Sequence, residues 1–453
     1  MALTRACMAV AALTLSAGLA NAQAVGADVV LSDVTNTTNY GAVNGIRGYA
    51  IGSNTCNIGN ANLGWINGGS PGLGMNAFRL VGGRITQIGQ SFAKTACCAA
   101  AGSGCGSCNG SGGNLLGAGC LDIYSSGWNG GQSRLGPRSV INGNNGQVGS
   151  YSGVTGDAIF RRLQVRQTDL ATPGAIYFIE GVYVATDDAS TPGAPYNNAS
   201  YKRVTVNANY DLTVTGAISV GKPAIFAWKD HGLGVNTPDP NVTITNIDVN
   251  EGGINPGRFI YGYKVSAVDA HTWHYEIAIY NLNSDKSGGS LSIPVPRGVQ
   301  ITNVGFSDVA SHSGEPFDNS DWGASVFNNT LTWKSPQTFA QNANSNALRW
   351  GTMYNFYFDA NVPPVAGNAT FGLFKPNTPQ TLDMPMLIPS TPPCVPDMNL
   401  DGNADQADVD YLINVVAGGN NPMGADPDFN KDGNVDQGDV DSLINVIAGA
   451  ACP

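Results

Sequence analysis

Hydrophobic and polar residues alternate with a period of two along much of this chain, which is the pattern of half-buried β-strands. The alternation is clearest in residues 244–388. Its apolar positions are Phe259, Tyr261, Tyr263, Val265 and Ala267, then Trp273, Tyr275, Ile277 and Ile279, then Tyr354, Phe356 and Phe358, with Phe371 and Leu373 further on. Turn signals recur about every 8–12 residues. We therefore predict an antiparallel β-sandwich of the immunoglobulin-like type over residues 244–388.

Residues 23–243 show shorter strands separated by turns rich in Gly and Asn. Gly82-Gly83 between Ala77–Val81 and Arg84–Ile88 predicts a two-residue hairpin. Further strands are predicted at Ile176–Ile179, Val182–Ala185, Arg203–Val206 and Leu212–Thr215. This region is predicted to be β-rich, and the pattern leaves open whether it forms one domain or two.

After a Pro-rich linker at residues 389–393, the periodicity changes from strand to helix. Apolar residues recur at i, i+3, i+4 and i+7 in two stretches, which predicts two short amphipathic helices. These residues are Val409, Leu412, Ile413 and Val416, and Val440, Leu443, Ile444 and Ile447. Residues 394–453 are therefore predicted to form a small all-α unit whose helices bury these stripes against each other.

Composition and charge separate this C-terminal unit from the rest of the chain. Charged residues make up 12% of the sequence and there are 59 glycines, so long amphipathic helices can contribute little elsewhere. The formal net charge is −11, and residues 394–453 hold eleven Asp and one Lys, a net of −10. The remainder is almost neutral and has no basic patch, which excludes nucleic-acid binding as a predicted function.

Residues 1–22 have the pattern of a secretory signal peptide. Arg5 precedes the apolar stretch Met8–Ala20, and Ala20-Asn21-Ala22 is an A-x-A cleavage site. No later segment has about 20 consecutive apolar residues, so no membrane span is predicted. We expect a secreted, extracellular protein that associates with a cell surface only through a partner.

The eight cysteines after the signal peptide favour disulfides, because an even number enters an oxidising compartment. Six lie near the N-terminus, and their pairing cannot be derived from the sequence: Cys56, Cys97, Cys98, Cys105, Cys108 and Cys120. Zinc held by Cys105-x-x-Cys108 with Cys97 or Cys98 is the less favoured alternative. Cys394 and Cys452 bracket the C-terminal unit, and a disulfide between them would close a loop of 59 residues.

The C-terminal unit contains a twelve-residue loop repeated with a period of 31 residues. Both copies carry oxygen-bearing residues at positions 1, 3, 5, 7, 9 and 12 and Gly at position 6, the arrangement of EF-hand calcium loops. The predicted ligands are Asp397, Asn399, Asp401, Asn403, Asp405 and Asp408, and Asp428, Asn430, Asp432, Asn434, Asp436 and Asp439. Calcium takes six to eight hard oxygen ligands, so two Ca²⁺ ions are predicted.

With these motifs, residues 394–453 resemble a type I dockerin, a duplicated loop-helix module that binds a cohesin domain. The flanking cysteines are similar to those of the GC-type dockerins that end secreted bacterial proteins. The Asp at position 12 is usual in that family. The resemblance implies that positions 10 and 11 contact the cohesin-like partner, here Gln406-Ala407 and Gln437-Gly438. The Ser-Thr pair common at these positions is absent, so the identity of the partner does not follow.

Dockerins commonly accompany polysaccharide-degrading enzymes, most of which need a pair of catalytic carboxylates. The E-x-D-x-x-E pattern of jelly-roll glucanases is absent. Glu276 and His274 share one face of a predicted strand, and we expect that face to be solvated. His271 and His274 are three residues apart on this strand, so they point to opposite faces and are not expected to hold one metal ion.

Two further groups of residues in the body are weaker candidates. His312, Glu315, Asp318 and Asp321 lie in the loop 311–322, which is predicted to be a solvated loop, with a second cation or a sugar as its alternative ligand. Tryptophans that could stack on a sugar are Trp228, Trp273, Trp322, Trp333 and Trp350, of which Trp273 is expected in the core by its alternation. No catalytic residue is assigned.

Together these patterns predict a secreted, mainly β protein that ends in a calcium-binding dockerin for cohesin-type anchoring. The body is expected to be a binding or structural module linked to extracellular polysaccharide processing, and we expect no enzymatic activity. The alternative is a divergent glycoside hydrolase carried on a dockerin.

Overall fold

The computed structural model describes residues 25–391, 394–450 and 452–453 of the 453-residue chain. The predicted signal peptide at residues 1–22 lies outside the described residues. The described chain is mainly β, as predicted, and its two longest helices lie near the C-terminus. Within these ranges, no helix has both the length and the apolarity needed to cross a membrane.

The largest sheet has nine antiparallel strands and belongs to the N-terminal half of the chain. In spatial order its strands are β14 (Leu212–Ser219), β13 (Ala199–Val206), β12 (Ile176–Val184), β6 (Gly72–Val81), β7 (Arg84–Thr95), β11 (Leu163–Arg166), β3 (Ile46–Ile51) and β2 (Thr37–Val43), and β10 (Leu135–Gly136) pairs with β7. The predicted hairpin is confirmed, since Val81 pairs with Arg84. Gly82 and Gly83 have φ values of 59° and 79°, which glycine adopts without strain.

The prediction of two strands at 176–179 and 182–185 is wrong, because β12 is continuous through Glu180 and Gly181. Gly181 breaks the apolar alternation for a packing reason. A Cβ on this residue would lie 2.5 Å from Cδ2 of Leu31, on the neighbouring sheet. The glycine therefore lets two sheets approach closely in the middle of a strand.

Two smaller sheets complete the N-terminal half. One has three strands, in the order β1 (Val29–Asp33), β4 (Ser53–Asn57) and β9 (Leu121–Tyr124). The other is the pair β5 (Leu63–Gly64) and β8 (Leu115–Leu116). Four helices of four or five residues lie in the connections: α1 (Ser126–Asn129), α2 (Gln167–Leu170), α3 (Thr186–Ala189) and α4 (Phe226–Asp230).

The next ten strands form two five-stranded antiparallel sheets that pack face to face, and we call them the sandwich. The first sheet has the order β15 (Thr243–Val249), β16 (Gly257–Ala267), β17 (Trp273–Asn281), β22 (Thr352–Ala360) and β19 (Ile301–Ser307). The second has the order β20 (Gly323–Phe327), β21 (Thr330–Lys334), β18 (Gly288–Pro294), β23 (Pro364–Leu373) and β24 (Thr381–Pro389). Pro389 ends β24, an edge strand where proline is tolerated, and residues 392–393 of the predicted linker are outside the described ranges.

Apolar clusters between successive sheets arrange residues 25–389, which we call the body, as a stack of four sheet layers. Neighbouring residues on one strand enter different clusters. Ile179 of β12 packs toward the three-stranded sheet, and Phe178 packs toward the sandwich. Ile279 of β17 points into the sandwich, and Tyr280 points toward the nine-stranded sheet. The central layers are therefore buried on both faces.

The six N-terminal cysteines form three disulfides, Cys56–Cys105, Cys97–Cys98 and Cys108–Cys120. None of the six thiols is left for zinc, so the zinc alternative is not supported. These disulfides hold a Gly-rich segment that has little apolar side chain to bury. A fourth disulfide joins Cys394 to Cys452 across the C-terminal unit (residues 394–453).

The C-terminal unit contains two eleven-residue helices, α5 (Gln406–Val416) and α6 (Gln437–Ile447). Their buried core consists of Met398, Val409, Leu412, Phe429, Val440 and Leu443. The predicted stripes are wrong at Ile413 and Ile444, which are 46% and 45% exposed. Met398 and Phe429 of the two loops pack between the helices in place of these isoleucines.

Candidate functional site

The predicted calcium ligands lie in two loops that precede α5 and α6. In the first loop, Asp397 accepts hydrogen bonds from the backbone N–H groups of Asp401 and Gly402, at 3.1 and 2.9 Å. Asn399 Oδ1 accepts from the same Asp401 N–H at 2.8 Å. The oxygens at positions 1 and 3 therefore converge on one turn of backbone. Leu400 and Gly402, with φ of 59° and 96°, make that turn sharp.

The carboxylates at positions 9 and 12 connect each loop to its helix. Asp405 is the N-cap of α5 and accepts from the Ala407 N–H at 2.8 Å. Asp408 accepts from the N–H groups of Asn399 and Asp405, at 3.0 and 2.8 Å. Its counterpart Asp439 is also fully buried. A carboxylate oxygen has two lone pairs, so these bonds leave acceptor capacity for a cation.

The donor chemistry of the loops suits calcium, although their acidic side chains are not gathered into a preformed cage. No group of three or more His, Cys, Asp or Glu side chains in the described parts of the chain is arranged to hold a metal ion. Calcium loops also use amide and backbone carbonyl oxygens. Asn399, Asn403 and their counterparts Asn430 and Asn434 supply such groups. Every predicted ligand is a hard oxygen donor.

Each helix of the C-terminal unit presents the same polar–apolar face to solvent. On α5, Gln406 donates from Nε2 to Asp410 Oδ1 at 3.0 Å, and Ile413 lies on the same face. On α6, Gln437 donates to Asp441 at 3.0 Å, and Ile444 occupies the position of Ile413. Residues seven apart lie on one side of a helix. The predicted partner residues 406–407 and 437–438 thus adjoin two equivalent exposed faces.

A groove of about 520 Å³ lies between the nine-stranded sheet and segment 307–321 of the sandwich. A recess of about 280 Å³ shares Arg79, Thr86 and Ser307 with it. The groove is lined mainly by charged and amide side chains: Arg79, Gln87, Gln90, Gln164, Arg166, Asp169, Asp308, Asn319 and Asp321. No single stretch of sequence signals this groove, because it forms between residues that are far apart in the chain, such as Gln90 and Ala310.

Asp308 is the carboxyl group in the groove whose proton affinity differs most from its ordinary value. Burial raises its pKa to about 6, and the nearby charge of Asp321 acts in the same direction. Its Oδ2 accepts a hydrogen bond from Nδ2 of Asn346 at 2.5 Å. A carboxyl with a raised pKa beside a second carboxylate is a recurring acid–base arrangement.

The prediction that Glu276 and His274 lie on a solvated face is wrong. Glu276 is 5% exposed, since the nine-stranded sheet covers this face of β17. Its Oε2 accepts from Arg84 Nε at 2.7 Å, and His274 Nδ1 lies 2.6 Å from Asp359 Oδ1. Hydrogen bonding to Glu276 and Asp359 raises the pKa of His274. His271 is exposed in the preceding turn and takes no part.

The loop 311–322 is partly solvated, as predicted, and partly packed between layers, and its four candidate residues do not form one site. His312 is buried, with Nε2 3.0 Å from the Arg162 carbonyl oxygen, and burial lowers its pKa to about 3. Glu315 accepts from the backbone N–H of Arg138 at 2.5 Å. Asp318 caps its own turn, and Asp321 lines the groove.

The tryptophans proposed to stack on sugars are mostly core residues. Trp228, Trp322, Trp333 and Trp350 are between 0% and 4% exposed. Trp273, expected in the core, is only partly buried against it. Trp128, which the alternation did not single out, is 43% exposed. Of the tryptophans named here, Trp128 and Trp273 therefore have the solvent-accessible rings.

Comparisons with known proteins assign no family. No protein-family profile matches the sequence, and a search of curated proteins finds no match. One solved structure with partial similarity is a GH20 exo-β-N-acetylglucosaminidase, an inactive mutant, from Vibrio harveyi. It is 11% identical, with a TM-score of 0.16, over 34% of this chain and 18% of that chain. A similarity of this size supports no conclusion about fold or function.

Proposed function

We propose that residues 394–453 form a calcium-binding docking module of the type I dockerin kind, which anchors the protein to a cohesin-like domain. The observation that carries this proposal is the repetition of one local structure. Both copies have the same capping-box geometry and the same exposed Gln-x-x-x-Asp-x-x-Ile face. Acidic surface alone does not require such agreement between two copies.

Two Ca²⁺ ions would be held by the carboxylates, asparagine oxygens and backbone carbonyls of the two loops. Asp397, Asp401 and Asp408 would supply the negative charge in the first loop, and their counterparts would do so in the second. Bound calcium would neutralise part of the net −10 of this unit and stiffen the entry of each helix. Residues 406–407 with Ile413, and 437–438 with Ile444, would then form two equivalent contact faces for a cohesin-like partner.

The calcium proposal is tested by calorimetric titration of the full-length chain after chelation. We expect two bound ions for the natural sequence, one for Asp401→Ala or Asp432→Ala, and none for the double variant. Asp410→Ala is the matched control, because Asp410 is acidic and exposed but lies outside the twelve-residue pattern. Unchanged stoichiometry in the double variant would contradict the proposal.

For the body we propose a binding or structural module of a secreted protein that works at an extracellular polysaccharide. We assign its sandwich to the immunoglobulin-like type. The groove supports a ligand-binding role, since its amide and charged side chains can hydrogen-bond to hydroxyl groups of a sugar. A glycan array tests this role, and Gln90→Ala with Gln164→Ala should weaken any binding that is found.

The second candidate function is a divergent glycoside hydrolase, which Asp308 favours. A general acid with a pKa of about 6 stays partly protonated at neutral pH, and Asp321 would act as the second carboxylate. A reducing-sugar assay on the polysaccharides that bind distinguishes the two functions. Turnover that is lost in Asp308→Asn while binding persists would establish the hydrolase. Binding without turnover supports the module.

A further inference from the structure

The two calcium loops, nearly identical in sequence, differ in one contact with the rest of the molecule. Arg297, in the connection between β18 and β19 of the sandwich, reaches the second loop. Its Nε lies 2.9 Å from Oδ2 of Asp428, the residue at position 1. Its Nη1 donates to the carbonyl oxygen of Lys431, at position 4, at 3.3 Å.

This contact changes the carboxylate at position 1. In the first loop both oxygens of Asp397 accept N–H groups of their own loop, at 2.9 and 3.1 Å. In the second loop Asp428 keeps one longer bond, 3.5 Å from the Gly433 N–H to Oδ1, and its Oδ2 is turned to Arg297. Asp428 is also the more buried of the two, at 5% exposure.

The guanidinium lies close against position 6 of the second loop. A Cβ built on Gly433 would be 2.6 Å from Nη1 of Arg297, whereas a Cβ on Gly402 would meet nothing within 4 Å. The positive charge of Arg297 thus occupies the side of the loop where positions 1, 4 and 6 meet. Within the described residues, the hydrogen bonds to the Asp397 carboxylate come from its own loop, and no cation of the body forms an ion pair with it.

We propose that Arg297 is a built-in competitor for calcium at the second loop and couples ion binding there to release of the C-terminal unit from the sandwich. This inference rests on the proposed function, since it concerns the same loops. A guanidinium and a divalent cation repel each other when both are placed at one carboxylate. Calcium at Asp428 therefore favours withdrawal of Arg297, and withdrawal removes both contacts described above. The first loop fills independently.

The experiment measures each loop separately in the full-length chain. Asp401→Ala leaves the second loop to be titrated, and Asp432→Ala leaves the first. Adding Arg297→Gln should tighten calcium binding to the second loop about tenfold, the order expected for removing one hydrogen-bonded ion pair. The same change should alter the affinity of the first loop less than twofold. Arg297→Lys keeps the positive charge but lacks the planar guanidinium that makes both contacts. It should give an intermediate calcium affinity at the second loop.

A structural readout completes the test. Small-angle scattering of the natural sequence should show a larger maximum dimension with calcium than without it. The Arg297→Gln variant should be extended in both conditions. Equal effects of Arg297→Gln on the two loops, or none on the second, would overturn the competitor assignment while leaving calcium binding intact. If neither loop of the natural sequence binds calcium, the proposed function fails and this inference fails with it.

Discussion

The body and the C-terminal unit place charged side chains in different environments. In the body, Glu180 and Arg138 lie between sheet layers, at 0% and 5% exposure, and both are surrounded by hydrogen-bond partners. In the C-terminal unit, Asp401 and Asp432 are exposed. Backbone hydrogen bonds from Asn403 and Asn434 lower their pKa values and keep them ionised.

This difference separates charges that complete a structure from charges that we propose to bind calcium. A buried ion needs all its partners in place, because the desolvation cost is otherwise not offset. The exposed carboxylates of the C-terminal loops, Asp401 and Asp432 among them, instead remain ionised in water, where a bound cation would offset their charge. Substituting charged residues of the body should therefore change mainly the free energy of unfolding. Substituting charged residues of the C-terminal loops should change mainly calcium binding.

The largest expected effect comes from removing the buried arginine. Arg138 donates to the carbonyl oxygens of Ser91, Gly351 and Met75 at 2.7–3.1 Å and to Asn76 Oδ1 at 2.8 Å. Arg138→Met removes four hydrogen bonds to buried acceptors and should lower the free energy of unfolding of the body by as much as about 5 kcal/mol. Urea unfolding followed by tryptophan fluorescence measures this directly, because all seven tryptophans lie in the body.

Arg134→Met is the control for this variant, since the Arg134 side chain makes one exposed hydrogen bond, to Asn67, and contacts the exposed ring of Trp128. It should cost about 1 kcal/mol or less. Calcium titration of Arg138→Met should match the natural sequence below the unfolding transition. A calcium affinity that falls together with body stability would contradict the separation between the two regions.

Removing the disulfide of the C-terminal unit should destabilise that unit and leave the stability of the body unchanged. Replacing Cys394 and Cys452 by Ser removes a crosslink between residues separated by 58 positions. The chain-entropy relation gives a loss of about 4 kcal/mol for the unit. Helical circular dichroism should report this loss, because the two longest helices are α5 and α6. The tryptophan transition of the body should not move, and a parallel shift there would show that the regions unfold together.

Local spacing explains why the C-terminal unit could be predicted and the surroundings of the body strands could not. The loop pattern and the stripes containing Leu412 and Leu443 specify turn, cap and helix within 12–20 residues. Alternation shows which residues of β17 share a face. The alternation does not show that a sheet formed by residues far away in the sequence, such as Arg84, covers Glu276. For the same reason Arg297 and Asp308 gave no strong sequence signal.

An effect of intermediate size on the free energy of unfolding of the body is expected when the pH is changed, because of Lys94. Lys94 is 2% exposed, its Nζ lies 3.8 Å from the centre of the Tyr124 ring, and the described residues give it no hydrogen-bond partner. Burial lowers its pKa to about 7. Above that pH the unfolded chain binds the proton more strongly than the folded protein, until the ordinary lysine pKa of about 10.4 is reached. Stability should therefore rise with pH in this window.

The Lys94 contribution is at most about 1.4 kcal/mol per pH unit. Urea unfolding at pH 7, 8, 9 and 10 should show this slope in the natural sequence and lose it in Lys94→Met. Comparing the two proteins removes the contribution of other titrating groups, which both share. Identical slopes in the two proteins would mean that Lys94 is solvated in the folded body. The body would then resemble the C-terminal unit in keeping this charge exposed to water.

The smallest stability effect is expected at the exposed isoleucines of the C-terminal unit. Ile413→Ala and Ile444→Ala remove side chains that are nearly half exposed, so each should change the unfolding free energy by about 0.5 kcal/mol or less. Their neighbours Leu412 and Leu443 are fully buried, and Ala there should cost about 2–5 kcal/mol. Thermal unfolding at 222 nm compares the pairs. If the isoleucine and leucine variants lost equal stability, these isoleucines would belong to the core and would not be available as equivalent faces for a partner.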